Sequence, residues 1–260
     1  MSRGFTLIEM VISIILLSIV GLFLGNVIGQ AMGIYADTSA REALIQQGRF
    51  VTERMSRELR EAVPNSMLVA NGCIEFLPII NSGIYQSFST TSITEFRLLP
   101  IHKAINAGER LVVYPNDPVA LRAKIDDSLL PYIGQVAEVG NDVDFTPPLD
   151  KKMVNVVLRR NTRFTLQSPA SRVYFYKTPV AYCYVGNSIY RYADYSLHRA
   201  VLSPAYLGNG VLMAQQLSEA NFSVVAPELQ RNGLVKIELT FSDKGEQVRF
   251  DHDALVYNTP

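Results

Sequence analysis

FTLIEMVISIILLSIVGLFL, residues 5–24, is a run of twenty residues in which Glu9 is the only charge and Thr6, Ser13 and Ser18 the only other polar side chains. A helix of that length spans about 30 Å, the hydrocarbon thickness of a bilayer. The competing reading is a buried core helix, but core helices are rarely apolar on every face for so long. The segment therefore reads as membrane-spanning, with the lipid bilayer as its first partner.

The remainder of the chain narrows the function. It has 260 residues and 29.0 kDa, with 24 basic against 24 acidic side chains, a formal net charge of zero and a pI of about 6.8. Phosphate-backbone binding needs dense Lys and Arg runs, and none is present, so nucleic acid is set aside as a partner. At 48% hydrophobic and 18% charged, the chain is too apolar to be disordered. Beyond the helix, roughly 195 residues remain, enough for one domain with a sizeable core.

Three fates of the N-terminus compete: an uncleaved anchor, an ordinary secretory signal, and a very short leader removed before the apolar run. An ordinary signal needs a shorter apolar core than this one and a small-residue cleavage site. Ala31-Met32-Gly33 has the small-x-small form, but it follows a stretch that is too long. The third fate accounts for more residues. Arg3-Gly4-Phe5-Thr6-Leu7-Ile8-Glu9-Met10 resembles the cleavage and methylation motif of type IV prepilins and type II secretion pseudopilins. The resemblance implies that prepilin peptidase cuts after Gly4 and that Phe5 becomes the N-methylated first residue.

Glu9 suits that reading on physical grounds. A carboxylate inside an apolar helix costs several kcal/mol unless it finds a partner, and ionisable residues within a membrane are usually functional. Cleavage at Gly4 would create such a partner in the Phe5 ammonium. The family implies that Glu9 of an incoming subunit pairs with the Phe5 amine of its neighbour during assembly, and the alternative is a Glu solvated near the headgroups. Arg3 and the initiator amine place the short side in the cytoplasm by the positive-inside rule, and hence the head in the periplasm of a Gram-negative source.

No proline interrupts residues 1–63, and Pro64-Asn65-Ser66 is the first stop signal. One helix over about 6–62 would be roughly 85 Å long and would project beyond the bilayer. Its outer half carries Arg41, Glu42, Arg49, Glu53, Arg54, Arg57, Glu58, Arg60 and Glu61, read as a wet face. Opposite them, Leu44, Gly48, Val51, Met55, Leu59 and Ala62 recur at spacings of three and four, an amphipathic stripe that needs the chain's own head to lie against. Gly21, Gly25, Gly29 and Gly33 form a small-residue ridge, suited to close helix packing in lipid or to local melting.

From Ser66 onward the pattern turns to short strands bounded by Gly, Pro, Asn and Ser. Strands are expected at 74–77, 93–99, 110–114, 155–159 and 173–176, with a hairpin of 180–185 and 188–192 about Gly186-Asn187. A second hairpin joins 234–242 to 247–250 through Asp243-Lys244-Gly245, and a separate last strand covers 254–257. Asp117-Pro118 would cap a short helix running to about 126. The expected fold class is α+β: a long N-terminal helix, transmembrane in its inner part, packed on a mainly antiparallel β head.

VAYCYVGNSIYRY, GVLMAQQLSEANFSV and LVKIELTFSDKG resemble the C-terminal half of J-type pseudopilins and of the larger PilW-like and MshO-like minor pilins. Length favours the minor pilins, with 79–150 reading as extra loop material, and the closing HDALVYNTP favours the MshO-like group of mannose-sensitive haemagglutinin pili. The implied division is a leader at 1–4, a transmembrane part of the helix at 5–34, an amphipathic part at 35–63 and a periplasmic head at 64–260. The implied partners are prepilin peptidase, other major and minor pilins or pseudopilins, and the inner-membrane assembly platform.

Catalytic and metal signatures are absent from the sequence. His102, His198 and His252 are far apart with no carboxylate or cysteine at ligand spacing, and neither a G-x-S-x-G elbow nor a P-loop occurs. No catalytic, cofactor or metal residue is assigned. Asp126-Asp127 and Asp142-x-Asp144 lack a full calcium-loop spacing and read as loop residues. Tyr182, Tyr184, Tyr190, Tyr192 and Tyr195 form either a recognition face or a cover over the core. Cys73 and Cys183 are the only cysteines: a disulfide in an oxidising periplasm, or two buried thiols. The expected function is a pilin-like structural subunit that primes or tips a filament, because a bulky head strains a repeating shaft. The rivals are a J-type pseudopilin of type II secretion, and an anchored periplasmic enzyme or binding module.

Overall fold

The computed structural model describes residues 6–88, 91–101, 104–125, 131–144, 153–225, 233–243 and 245–256. A single helix, α1 (Leu7–Arg60), opens the chain and is about 80 Å long. Then come β1 (Leu68–Ala70), β2 (Cys73–Phe76), β3 (Asn81–Tyr85), β4 (Ile93–Pro100), β5 (Ala104–Ile105) and β6 (Arg110–Val113). One 3-10 turn, Ala120–Arg122, precedes β7 (Tyr132–Gly134), β8 (Val136–Glu138), β9 (Val143–Asp144) and β10 (Val154–Phe164). The chain continues with β11 (Arg172–Tyr176), β12 (Val180–Val185) and β13 (Ser188–Tyr192). After a 3-10 turn at Pro204–Tyr206 it closes with β14 (Val211–Ala214), β15 (Leu217–Val225), β16 (Gly233–Asp243) and β17 (Glu246–Val256).

These strands form a five-stranded sheet β1-β2-β12-β13-β14, a seven-stranded sheet β7-β10-β4-β3-β11-β6-β8, the meander β15-β16-β17 and a small β5-β9 pair. Pairing is antiparallel except between β7 and β10. The architecture is therefore α+β, a long apolar N-terminal helix on a mostly antiparallel head.

The helix stripe finds its cover within the head. Leu44, Gly48, Val51, Thr52, Met55, Ser56 and Leu59 are buried. Of these, Leu44, Val51, Met55 and Leu59 pack into one cluster with Val235, Ile237, Leu239, Phe241, Ala254 and Val256 of the meander, and with Ile74, Phe76, Val180, Tyr182 and Ile189 of the five-stranded sheet. Each large aliphatic buried this way contributes about 1.5–3 kcal/mol. Gly48 sets the approach distance, since a Cβ there would overlap the ring of Phe250, which stands edge-on to Phe241 with centroids 5.7 Å apart.

Strands buried on both faces explain the least patterned sequences. Along β11, Val173 and Phe175 enter one cluster with Leu111, Val113, Leu98 and Val156, whereas Tyr174 and Tyr176 enter another with Val63, Leu77 and Val112. Residues two apart share a face, so a strand covered on both sides reads as an unbroken apolar run, as RLVV does in β6.

Four local expectations are corrected. Residues 79–150 are not loop material, because β3 to β9 lie within them and supply most of the seven-stranded sheet. Asn81-Ser82-Gly83 looks like a turn, yet Gly83 is there because a Cβ would come within 2.6 Å of the Leu99 carbonyl on β4. The expected helix after Asp117-Pro118 is only the 3-10 turn, although Asp117 Oδ1 does accept from Val119 N at 2.8 Å. The separate last strand is the end of β17, which pairs with β16 without a break from Glu246 to Val256, and β10 runs on to Phe164, beyond 159.

The Gly48–Phe250 contact is testable. Gly48→Val should lower unfolding free energy in denaturant by about 1–3 kcal/mol, the usual cost of overpacking, and Phe250→Leu in the same chain should recover part of it. An unchanged midpoint for Gly48→Val would show that the helix does not sit this close to β17.

Candidate assembly site

The first turn of α1 is built around Thr6 and Glu9. Thr6 is the N-cap residue, its carbonyl accepts from Met10 N at 3.3 Å, and its N–H donates to Glu9 Oε2 at a long 3.5 Å. Glu9 therefore sits in the first helical turn, where the free N–H groups and the helix dipole favour negative charge. Such a site lowers the cost expected for a carboxylate within an apolar helix, and it points the acid at the N-terminal end of the chain. Ser13 and Ser18 donate to the carbonyls of Glu9 and Ile14 at 2.7 and 2.8 Å, so their hydroxyls are satisfied within the helix. Gly4 and Phe5, the expected processing residues, lie outside the described residues.

Residues 6–39 are exposed throughout, and α1 is long and apolar enough to cross a membrane. The helix is unbroken across Gly21, Gly25, Gly29 and Gly33, and a Cβ at any of the four would meet open space. Among the described residues nothing covers this half of the helix, a surface suited to lipid or to other helices.

Residues 1–25 match the prokaryotic N-terminal methylation motif. This match supports a type IV prepilin-like protein. It implies processing by prepilin peptidase and assembly with other pilins, and with the long apolar helix it is consistent with inner-membrane anchoring and a periplasmic head. No curated protein and no solved structure matches the chain.

The outer half of the helix is fastened by polar contacts as well as by its stripe. Glu58 accepts from Arg54 Nε at 2.7 Å and from Arg191 Nε of β13 at 3.0 Å. Gln47 Oε1 accepts from Gln215 N at 3.2 Å, and Arg41 reaches Glu246 at 3.4 Å. The charges expected to form only a wet face thus include a clamp onto the head. The fully buried Tyr182 hydroxyl lies beside this clamp, and burial, followed by the Glu58 carboxylate, pushes it up to about 12.

A second polar centre could not be foreseen from spacing. Glu75 on β2 is completely buried and accepts from Arg122 Nε, Arg199 Nη2 and the Tyr195 hydroxyl, each at 2.6 Å. Arg122 also donates to the carbonyls of Pro118 and Ser66 at 2.6 and 2.7 Å. The cluster pins the 3-10 turn and the segment after β13 to the five-stranded sheet. A lone Glu between apolar residues in CIEF was its only trace in the sequence. On the same face, Cys73 and Cys183 stand directly opposite one another on β2 and β12, Cα atoms 4.0 Å apart, and their sulfurs are bonded.

Other singled-out residues are dispersed. Tyr182 faces the helix core, Tyr192 and Tyr195 pack on the opposite side with Cys73 and Leu207, and Tyr184 and Tyr190 are half-buried, so the tyrosines make no single exposed face. Asp142 Oδ1 accepts from Ala107 N at 2.7 Å and shapes a turn. Asp144 lies in β9, paired with Ala104. His198 is exposed with Nδ1 2.9 Å from the Arg122 carbonyl, and His252 is half-buried on β17. His102 and Asp126-Asp127 lie outside the described residues. Among the described residues no three His, Cys, Asp or Glu side chains converge for a metal.

Two outcomes follow from these centres. Glu75→Ala leaves two buried guanidinium groups facing one another and should cost about 3–5 kcal/mol in denaturant unfolding; a loss under about 1 kcal/mol would mean that the arginines relax into solvent. For Tyr182 the folded state holds the proton more tightly than the unfolded chain, so its contribution is complete below pH 10 and disappears as pH rises through 12. Unfolding free energy followed from pH 9 to 12 should fall less steeply in Tyr182→Phe than in the parent.

Proposed function

We propose that the chain is a minor pilin-like structural subunit of a type IV pilus of the mannose-sensitive haemagglutinin type, acting in filament initiation or at the tip. It has no enzymatic role in this reading. The observation that carries it is the pairing of a helix half left uncovered by the other described residues with an acid in that helix's first turn, within the N-terminal methylation motif. Lipid covers the apolar half before assembly and neighbouring helices cover it afterwards, while Glu9 meets the new Phe5 ammonium of an adjacent subunit. The head at 64–260 faces the periplasm, and its seven-stranded sheet adds lateral bulk that is accommodated more easily at a filament end than along a shaft.

A J-type pseudopilin of type II secretion would share the helix and the motif. The extra sheet drawn largely from residues 79–176 favours the larger minor pilin. An anchored periplasmic enzyme or binding protein would instead keep its N-terminus or lose it near Gly33.

Mass spectrometry of the mature N-terminus tests the reading, which expects a chain beginning at N-methylated Phe5. An intact Met1 or a start at Ile34 overturns it. Glu9→Ala should leave cleavage intact and reduce recovery in sheared filaments about tenfold, the loss of one charge-assisted contact; undiminished recovery would remove the proposed pairing.

A further inference from the structure

A cleft of about 370 Å³ opens among β6, the segment after the Ala120–Arg122 turn, β8, β10 and the residues just after β11. Among the described residues that line it, the charge is one-sided. Arg110, Lys124, Arg159 and Lys177 stand against a single acid, Glu138, which is paired with Arg159 Nη1 at 2.8 Å, and His198 completes the lining. Arg110 is buried, its Nη1 and Nη2 donating to the carbonyls of Leu121 and Ala123 at 3.3 and 2.6 Å, and it lies 5.9 Å over the Tyr176 ring. Among the described residues it pairs with no carboxylate. A guanidinium carries five N–H donors in a fixed fork, so the two carbonyl bonds leave some for a further acceptor. Lys124 and Lys177 are exposed and make no ion pair among the described residues.

The ground behind the cleft is also cationic. Arg122 and Arg199 share the one carboxylate of Glu75, which leaves an excess buried positive charge, and the Arg122 carbonyl holds His198 Nδ1. Burial, and then the Arg110 and Lys124 charges, hold the His198 imidazole below the usual histidine range against the opposing bond to Arg122. A buried, uncompensated cation is expensive unless something anionic completes it.

We propose that this cleft is a binding site for one compact oxyanion, a phosphate or sulfate group. Three cations from three separate elements, Arg110, Lys124 and Lys177, converge on it, which suits a tetrahedral anion carrying two charges better than a single carboxylate. The volume of this open cleft takes a phosphorylated or sulfated sugar unit, and its compact outline is unlike the extended basic stripe that a nucleic-acid backbone needs. The site is independent of the filament reading, since it uses only the head's own residues.

Isothermal titration of the full chain in zwitterionic detergent at low salt, with inorganic phosphate and with glucose 6-phosphate, tests it. Saturable one-to-one binding is expected for both probes; tighter binding of glucose 6-phosphate marks a phosphorylated glycan as the source, and equal binding marks the free ion. The exposed double change Lys124→Gln and Lys177→Gln should weaken either probe about tenfold or more while leaving the unfolding midpoint unchanged. Lys236→Gln, at an exposed position of β16, should bind like the parent. Absence of saturable binding overturns the proposal. So does an equal loss in the Lys236→Gln control, which would reduce the effect to net charge.

Discussion

One continuous helix faces two different environments, and the rest of the molecule follows from how each is met. Over Leu44 to Leu59 the apolar stripe is covered by the meander and the five-stranded sheet, so this part is a core helix. Over residues 6–39 the helix has no cover from the other described residues. Burial of apolar surface is the dominant favourable term in folding, and the exposed half can obtain it only from lipid or from other subunits. The head therefore completes its own fold while the inner helix remains an unsatisfied demand for partners.

The division of labour between apolar and polar contacts is visible at the helix–head junction. The stripe supplies most of the area, and Gly48 lets the Phe250 ring approach closely. Direction comes from the clamp of Glu58 with Arg54 and Arg191, which fixes rotation about the helix axis because it requires specific side chains on β13. The buried Glu75 cluster does the same at the next layer, fastening two irregular segments to a sheet that the Cys73–Cys183 bond already ties across β2 and β12. Irregular segments lack ladder hydrogen bonds of their own, and charge-assisted bonds to a fixed acid replace them.

The seven-stranded sheet is the larger layer of the head. Its β6 and β11 are covered on both faces, one set of side chains meeting Leu98 and Val156 and the other meeting Val63 and Leu77. That placement puts β6 and its Arg110 at a junction between layers, where a cation is held by carbonyls beside an open cleft. Beside the layer that holds α1, the described head thus carries a cleft lined by Arg110, Lys124 and Lys177.

By itself the sequence determined the features that rest on local periodicity: the long helix, the stripe from Leu44 to Ala62, the hairpin about Gly186-Asn187 and the acid next to the cleavage motif. Spacing of three and four along a helix, or of two along a strand, is a property of neighbours in the chain and can be read without a fold. Only the tertiary structure decided that β3, β4, β6, β7 and β8 join β10 and β11 in one sheet, that Gly83 is there to admit the Leu99 carbonyl, and that Glu75 meets arginines 47 and 124 positions away. Those contacts join segments distant in the chain, and nothing in a residue's immediate neighbours records what will be folded against it.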